Sequence, residues 1–372
     1  MEQPKVIISG GGTGGHIFPA IAIAEAFKKR YPKAQILFVG AENRMEMTRV
    51  PAAGYHIVGL PVSGFNRSNL FKNFSVLLKL RKSLIKAKRI VREFQPDIAI
   101  GVGGYASGPL LRAAASMGIP TLIQEQNSYP GVTNKLLAKK SKIICVAYDN
   151  MDRFFPKKKI VMTGNPCRQS LLVDVSKEEA MKFYNLDPSL KTILIVGGSL
   201  GARTVNKSVE RHLKMIGESN VQIIWQSGEN YFHDLFLELP NRTGTEKIRL
   251  YAFLDRMDLA YKAADLVISR AGAGSISELS LLGKPAILVP SPNVAEDHQT
   301  KNARALVDKG AAILVKDVEA ESDLIQIALQ TVNDNRKLEE LSANISKLGR
   351  KDSAAKIVDE AIELIKNSGK KI

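Results

Sequence analysis

The apolar segment Val6-Ile7-Ile8 runs into Gly10-Gly11-Gly12-Thr13-Gly14-Gly15-His16 and then into a helix-like stretch from Ile17 to Lys29. The same order restarts at Thr192-Ile193-Leu194-Ile195-Val196, followed by Gly197-Gly198-Ser199-Leu200-Gly201-Ala202 and another helix. A strand, a glycine turn and a helix opening each half of a chain predict two Rossmann-like α/β domains. Further short apolar segments lie near 35–39, 56–60, 97–101, 120–124 and 142–146, and near 221–226, 247–251, 265–268, 285–289 and 311–315. They are continuously apolar and not alternating, which predicts parallel sheets covered by helices on both faces, with a cleft between their carboxyl edges. At 372 residues the chain exceeds one ordinary core. The break at Thr163-Gly164-Asn165-Pro166 sets expected domains at 1–164 and 165–352, and the helical pattern 353–367 can pack on either.

Glycines without side-chain bulk let backbone N–H groups close on an anion at a helix N-terminus, so 10–16 reads as a candidate diphosphate site. Gly10, Gly12 and Gly15 also satisfy G-x-G-x-x-G, and Glu42 could supply the acid a nicotinamide site needs. A ligand-free packing turn is the plain alternative. A second cluster, Gly101-Val102-Gly103-Gly104-Tyr105-Ala106-Ser107-Gly108-Pro109, follows the strand Ile98-Ala99-Ile100. Two such turns at neighbouring strand ends can hold two phosphates or one extended diphosphate. His16, the one imidazole inside a glycine loop, is a candidate general base or a donor to phosphate, against the alternative of a structural helix-start residue.

In the second half, Arg270-Ala271-Gly272-Ala273-Gly274-Ser275-Ile276-Ser277-Glu278 follows the strand Leu266-Val267-Ile268. The glycines can approach phosphates while Glu278, a turn into the helix, can accept from a vicinal diol such as a ribose. The stretch 290–303 gathers Asn293, Asp297, His298, Gln299 and Asn302, donors and acceptors that suit sugar hydroxyls, although Glu296 or Asp297 could simply cap a helix. Gln124-Glu125-Gln126-Asn127 ends a first-half strand, and Arg168 follows the domain break, placed to meet a phosphate. No Asp-x-Asp occurs, so no metal and no cofactor are expected; backbone amides, Arg168 and helix dipoles would neutralise a leaving diphosphate.

The formal net charge is +16, and all of it lies in residues 1–165. Residues 64–92 carry nine Lys and Arg and no acid, which points to a polyanionic surface, lipid or nucleic acid. Helical spacing puts Leu77, Leu80, Leu84, Ala87, Val91 and Phe94 on one face and Lys79, Lys82, Lys86 and Arg89 opposite. Phe65, Leu70, Phe71 and Phe74 could enter a lipid interface beside them. Nucleic acid is disfavoured because stacking aromatics are not interleaved with the charges; the one tryptophan, Trp225, is in the neutral half. Cys145 and Cys167 lack metal-ligand spacing and fit a reducing compartment, and there is neither a leader nor an apolar run of about 18 residues. These features predict a cytoplasmic, peripheral protein.

The motifs Gly-Gly-Thr-Gly-Gly-His at 11–16, Gly-Gly-Tyr-x-Ser-Gly-Pro at 103–109, Glu-Gln-Asn at 125–127, Gly-Asn-Pro-x-Arg at 164–168, Gly-Gly-Ser-x-Gly-Ala at 197–202, Ser275 to Glu278 and His298-Gln299 occur in one order. In that order the chain resembles the MurG family of UDP-GlcNAc transferases, from the first strand to about residue 310. The resemblance implies a GT-B fold and an inverting, metal-independent transfer at the cytoplasmic membrane face. UDP-GlcNAc would be the donor and the lipid-linked muramoylpentapeptide of peptidoglycan synthesis the acceptor. It implies that Thr13, Gly14, Gly15 and Asn127 reach the donor sugar or reacting centre, and that Arg168 and Ser199 bind the UDP phosphates. Leu254, through its backbone, and Ala273, Gly274, Ser275, Ile276, Ser277 and Glu278 would bind uridine, and Gln299 the GlcNAc hydroxyls. Gly12, Gly103, Gly104, Tyr105 and Ser107 would take the acceptor diphosphate, with His16 as base. Many members have His where this chain has Gln124, so that position supplies no essential base here. The same fold also serves glycolipid glycosyltransferases and UDP-GlcNAc 2-epimerases, which are the alternatives.

Overall fold

The computed structural model describes residues 3–63, 73–198, 200–294 and 297–370. They form two compact units, Met1–Arg168 with Arg350–Ile372, and Gln169–Gly349.

The first unit is built on a seven-stranded parallel sheet of β1 (Lys5–Gly10), β2 (Gln35–Ala41), β3 (His56–Leu60), β4 (Ile98–Gly103), β5 (Thr121–Glu125), β6 (Ile143–Val146) and β7 (Ile160–Met162). Its order is β3-β2-β1-β4-β5-β6-β7, so the winding reverses between β1 and β4. A reversal leaves a crevice beyond the carboxyl ends of those two strands, and both first-half glycine clusters follow them. Helices α1 (Gly14–Arg30), α2 (Glu46–Ala52), α3 (Asn73–Phe94), α4 (Ser107–Ser116) and α5 (Val132–Leu137) make the crossovers.

Alternate residues of β1 feed two cores. Val6 and Ile8 pack with Ile17, Ile23 and Phe27 of α1, while Ile7 packs with Ala87 and Val91 of α3 and Leu110 of α4. The remaining helix, labelled in chain order after the second unit as α15 (Ser353–Asn367), joins the first of these cores through Ile357, Val358, Ala361, Ile362 and Ile365. Each such fully buried side chain is worth roughly 1.5–3 kcal/mol, enough to return the end of the chain to the first unit.

The second unit carries a six-stranded parallel sheet, β8 (Lys191–Val196), β9 (Val221–Gln226), β10 (Ile248–Tyr251), β11 (Leu266–Ser269), β12 (Ala286–Leu288) and β13 (Ile313–Leu314), in the order β10-β9-β8-β11-β12-β13. Its helices are α6 (Lys177–Phe183), α7 (Arg203–Arg211), α8 (Leu213–Glu218), α9 (Glu229–Glu238), α10 (Met257–Ala263), α11 (Ala273–Leu282), α12 (His298–Val307), α13 (Asp317–Asn333) and α14 (Asn335–Ser346). Here the reversal lies between β8 and β11, again the two strands that run into glycine turns. The alternation of strands and helices read from the sequence holds throughout; β7, a three-residue edge strand after a lysine run, is additional.

Candidate functional site

Helix α1 begins at the tip of the glycine turn. Thr13 occupies its N-cap position with extended backbone and no side-chain cap, and no acid lies in the first turn. Thr13 O accepts from the N–H of His16 and of Ile17, while Thr13 and Gly15 are exposed. The helix's own first turn thus holds no acid against its positive end, a condition that favours an anionic ligand.

Not every glycine of the run serves that purpose. Glu46, the first residue of α2, is 0% exposed, and its carboxylate accepts from Gly12 N–H and Ala41 N–H, both at 2.9 Å. A Cβ at Gly11 would lie 2.1 Å from Glu46 Oε1. Gly11 is therefore required by the carboxylate packed against it. The Gly12 N–H is committed to Glu46, while the rest of this exposed residue's backbone stays open to a ligand.

The second glycine cluster meets the first. A Cβ at Gly104 (φ 86°) would sit 2.4 Å from Gly11 O, and one at Gly103 (φ 110°) would sit 2.7 Å from two atoms of the His16 ring. Backbone at these left-handed positions packs where a side chain could not. On its other side the His16 ring reaches Gln126, with Nδ1 2.8 Å from Oε1. Tyr105 is 54% exposed beside this junction. Ser107 is fully buried and its hydroxyl donates to Ser9 O at 3.0 Å and Gly103 O at 2.8 Å. It straps β1 to β4, the one hydroxyl hydrogen being shared between these two carbonyls.

Asn127 is held by Glu125, whose Oε1 accepts from Asn127 N at 3.0 Å and Nδ2 at 3.1 Å and whose Oε2 accepts from Asn134 Nδ2 at 2.8 Å. Arg168 stays with the first unit, its guanidinium 5.1 Å from the centre of the Phe18 ring on α1. Cys145 is buried in β6 with its thiol pKa pushed up by burial, an unreactive core residue.

In the second unit α11 starts after Gly272, again with no side-chain cap and no acid in its first turn. Glu278 is partly exposed, and the buried Tyr261 of α10 donates its hydroxyl to Glu278 Oε2 at 3.1 Å. Ala273 and Ile276 are buried, so they can offer a ligand main chain only; Leu254 is likewise buried. The Ser277 hydroxyl donates to Ala273 O at 2.8 Å, whereas Gly274 and Ser275 are partly exposed. Gln299 Oε1 accepts from Ser291 N–H at 2.8 Å, which turns its Nε2 into the donor end of the amide. Ser199 and Glu296 lie outside the described residues.

The basic helix α3 buries Val76, Ala87, Ile90 and Val91 and exposes Lys79, Arg81, Lys82, Lys88, Arg89 and Arg92. Lys86 departs from the expectation of an outward charge: its Nζ lies 2.8 Å from Glu42 Oε1, half-buried. That pairing also engages the acid a nicotinamide site would have used. Leu78 and Ile85, 49% and 63% exposed, stand among the exposed cations, a pattern not read from the sequence. Arg67, Lys72, Phe65, Leu70 and Phe71 lie outside the described residues, as do the side chains of Phe74 and Leu77.

Among the described residues no group of three or more His, Cys, Asp and Glu is arranged to hold a metal, and no helix is long and apolar enough to cross a membrane. The sequence reading missed Glu46, Gln126 and Tyr261 as supports of the site. Each acts on a residue far away in the chain, so no local pattern announces it.

Two parallel-sheet units, each with an uncapped glycine-started helix at its switch point, make up a GT-B fold. Residues 6–146 match the glycosyltransferase family 28 N-terminal domain and residues 192–357 the family 28 C-terminal domain. A UDP-N-acetylglucosamine–N-acetylmuramyl-(pentapeptide) pyrophosphoryl-undecaprenol N-acetylglucosamine transferase of Parabacteroides distasonis is 61% identical, over 98% of this chain and 99% of its own. The protein of the same description from Flavobacterium psychrophilum is 52% identical, over 99% of both chains. The crystal structure of Acinetobacter baumannii MurG superposes with a TM-score of 0.77 at 28% identity, covering 97% of this chain and 99% of that one. The chain belongs to the MurG family of N-acetylglucosamine transferases.

Proposed function

We propose that the protein transfers GlcNAc from UDP-GlcNAc to the 4-hydroxyl of undecaprenyl-diphospho-MurNAc-pentapeptide, with inversion and without a metal, forming the disaccharide lipid of peptidoglycan synthesis. The observation that carries this is 61% identity, over 98% of the chain, to a transferase whose name states both substrates. In this reading the second unit binds the donor, with Glu278 on the ribose, Gln299 on the sugar, and Leu254 and Ala273 to Ser277 around the uridine. Arg168 and Ser199 would meet the diphosphate, and Thr13, Gly14, Gly15 and Asn127 the reacting centre. Gly12, Gly103, Gly104, Tyr105 and Ser107 are the acceptor-diphosphate candidates. The acceptor O–H bond breaks as its proton passes to His16. The oxygen then bonds to the anomeric carbon as the bond to UDP breaks, and UDP leaves with the electron pair.

Incubation with UDP-GlcNAc and a lipid-linked muramoyl acceptor is expected to release UDP and add one N-acetylhexosamine to the lipid by mass spectrometry. Epimerised donor without acceptor modification would overturn the reading in favour of an epimerase. Glu278→Ala is expected to weaken donor binding by about 1–3 kcal/mol, seen as a raised KM for UDP-GlcNAc, because a charged acceptor of two hydroxyls is deleted. Tyr261→Phe removes only the bond that holds that carboxylate and should cost about 0.5–1.5 kcal/mol in the same assay. An unchanged KM in folded Glu278→Ala would leave Glu278 as a helix residue only.

The docking surface we infer is anionic lipid on the cytoplasmic face of the membrane, met by residues 64–92. Exposed Leu78 and Ile85 amid Arg81, Lys82, Lys88, Arg89 and Arg92 support it, since apolar side chains can enter the headgroup layer while the cations meet phosphates. Reversing Lys79, Arg81, Lys82 and Lys88 to Glu should release the protein from anionic vesicles, each cation contributing about 1 kcal/mol before salt screening. Sedimentation of that variant with vesicles at moderate salt would show the face to be ordinary solvated surface.

A further inference from the structure

Behind His16 lies a buried chain of side-chain amides whose direction the main chain dictates. Gln126 Nε2 donates to Val102 O at 2.6 Å and to Gln124 O at 3.1 Å. Carbonyl oxygens only accept, so the nitrogen end of Gln126 must face them and its Oε1 must face His16. Oε1 cannot donate either. The hydrogen in the 2.8 Å contact therefore belongs to His16 Nδ1.

The far end of the chain gives the same direction independently. Asn165 Nδ2 donates to Gln126 O at 3.0 Å, which turns Asn165 Oδ1 toward Gln124, whose Nε2 donates to it at 2.8 Å. Gln124 Oε1 then faces Gln126 Nε2, whose two hydrogens are shared among Val102 O, Gln124 O and Gln124 Oε1. Gln124, Gln126 and Asn165 are 0%, 1% and 5% exposed, so water does not compete for these bonds. The ring is further confined by Gly103, where any Cβ would press within 2.7 Å of Cε1 and Nδ1.

We propose that Gln126, oriented by Gln124 and Asn165, is a positioning residue that fixes His16 in the Nδ1–H tautomer and so makes Nε2 the atom that receives the acceptor's proton. This rests on the reading of His16 as the base. In the neutral imidazole one nitrogen carries the hydrogen and the other the lone pair, and the partner of the first decides which is which. The partner here is an uncharged amide, so it selects a tautomer without adding a carboxylate to a site that must hold diphosphates. As the acceptor hydroxyl is deprotonated its proton goes to Nε2, and the imidazolium keeps its Nδ1–H bond to Gln126.

The test is the 15N spectrum of the full-length, histidine-labelled protein in mildly alkaline buffer, with the His16 signals assigned by their loss in His16→Ala. The expected spectrum has hydrogen on Nδ1 and a bare Nε2. Gln126→Leu should abolish that signature and lower kcat roughly 10–100-fold with little change in donor KM. An unchanged tautomer in Gln126→Leu would overturn the inference and leave the base assignment standing, whereas hydrogen on Nε2 in the unmodified protein would overturn both, because the remaining lone pair would face Gln126. A lost tautomer with undiminished kcat would instead remove His16 as the base.

Discussion

His16→Ala is expected to lower kcat by on the order of 10²–10⁴ while leaving the KM for UDP-GlcNAc nearly unchanged. A positioned general base contributes about that much by taking the proton of the attacking hydroxyl as the new bond forms. Of the donor contacts proposed above, Glu278 and Gln299 belong to the other unit, and Arg168 packs on Phe18, none of them on the His16 ring. The fold should tolerate the change: alanine is a better helix former than histidine, and the ring packs against a glycine and an amide without supporting the apolar core. Gln126 Oε1 would lose its partner, a penalty of about 1–3 kcal/mol unless water enters the space the ring leaves. Steady-state kinetics over both substrates, with circular dichroism as the folding control, separates the cases. A raised acceptor KM at nearly normal kcat would make His16 a phosphate-binding residue, and the base would have to be sought elsewhere.

Strand positions were legible in the sequence because a parallel sheet covered on both faces needs uninterrupted apolar runs, and Val6 to Ile8, Ile98 to Ile100 and Leu266 to Ile268 are such runs. The edge strand Ile160–Met162 was not, since three residues after a lysine run carry too short a pattern. The two glycine turns of each unit were legible as punctuation, and topology explains why they are paired: they follow the strands on either side of a reversal. What each glycine does was less visible. Gly11 answers to Glu46, Gly103 to the His16 ring and Gly104 to Gly11 itself, all contacts between segments distant in sequence. Helical spacing put Lys86 on the outer face and the family resemblance put Ser107 at a diphosphate, yet Glu42 pairs with the half-buried ammonium and two main-chain carbonyls accept from the hydroxyl. A hydroxyl or an ammonium carries no local mark of which partner it will find.

Glu46→Ala should destabilise the first unit by roughly 2–4 kcal/mol, because the buried Ala41 N–H loses its acceptor at about 1–3 kcal/mol, the solvent-accessible Gly12 N–H loses one at smaller cost, and a cavity adds to both. The carboxylate joins the loop after β1 to the end of β2 through Gly12 and Ala41, and Gly11 and Gly40 leave the space that it fills. Nothing nearby can replace it, since the walls of the site are glycine backbone. Glu46→Gln is not a silent control. Its NH2 would face one of two N–H donors, so it keeps one bond and opposes the other, and a loss of about 1–3 kcal/mol is expected. Hydrogen exchange reads the effect where it arises: the amides of Gly12 and Ala41 should exchange faster in both variants, and most in Glu46→Ala. Because the same carboxylate holds the turn that carries Thr13 to His16, turnover should fall further than the lost folded fraction explains, the reacting groups being held less closely. Stability within about 1 kcal/mol of the unmodified protein, with Gly12 exchange unchanged, would mean that the glycine turn keeps its shape without the carboxylate beneath it.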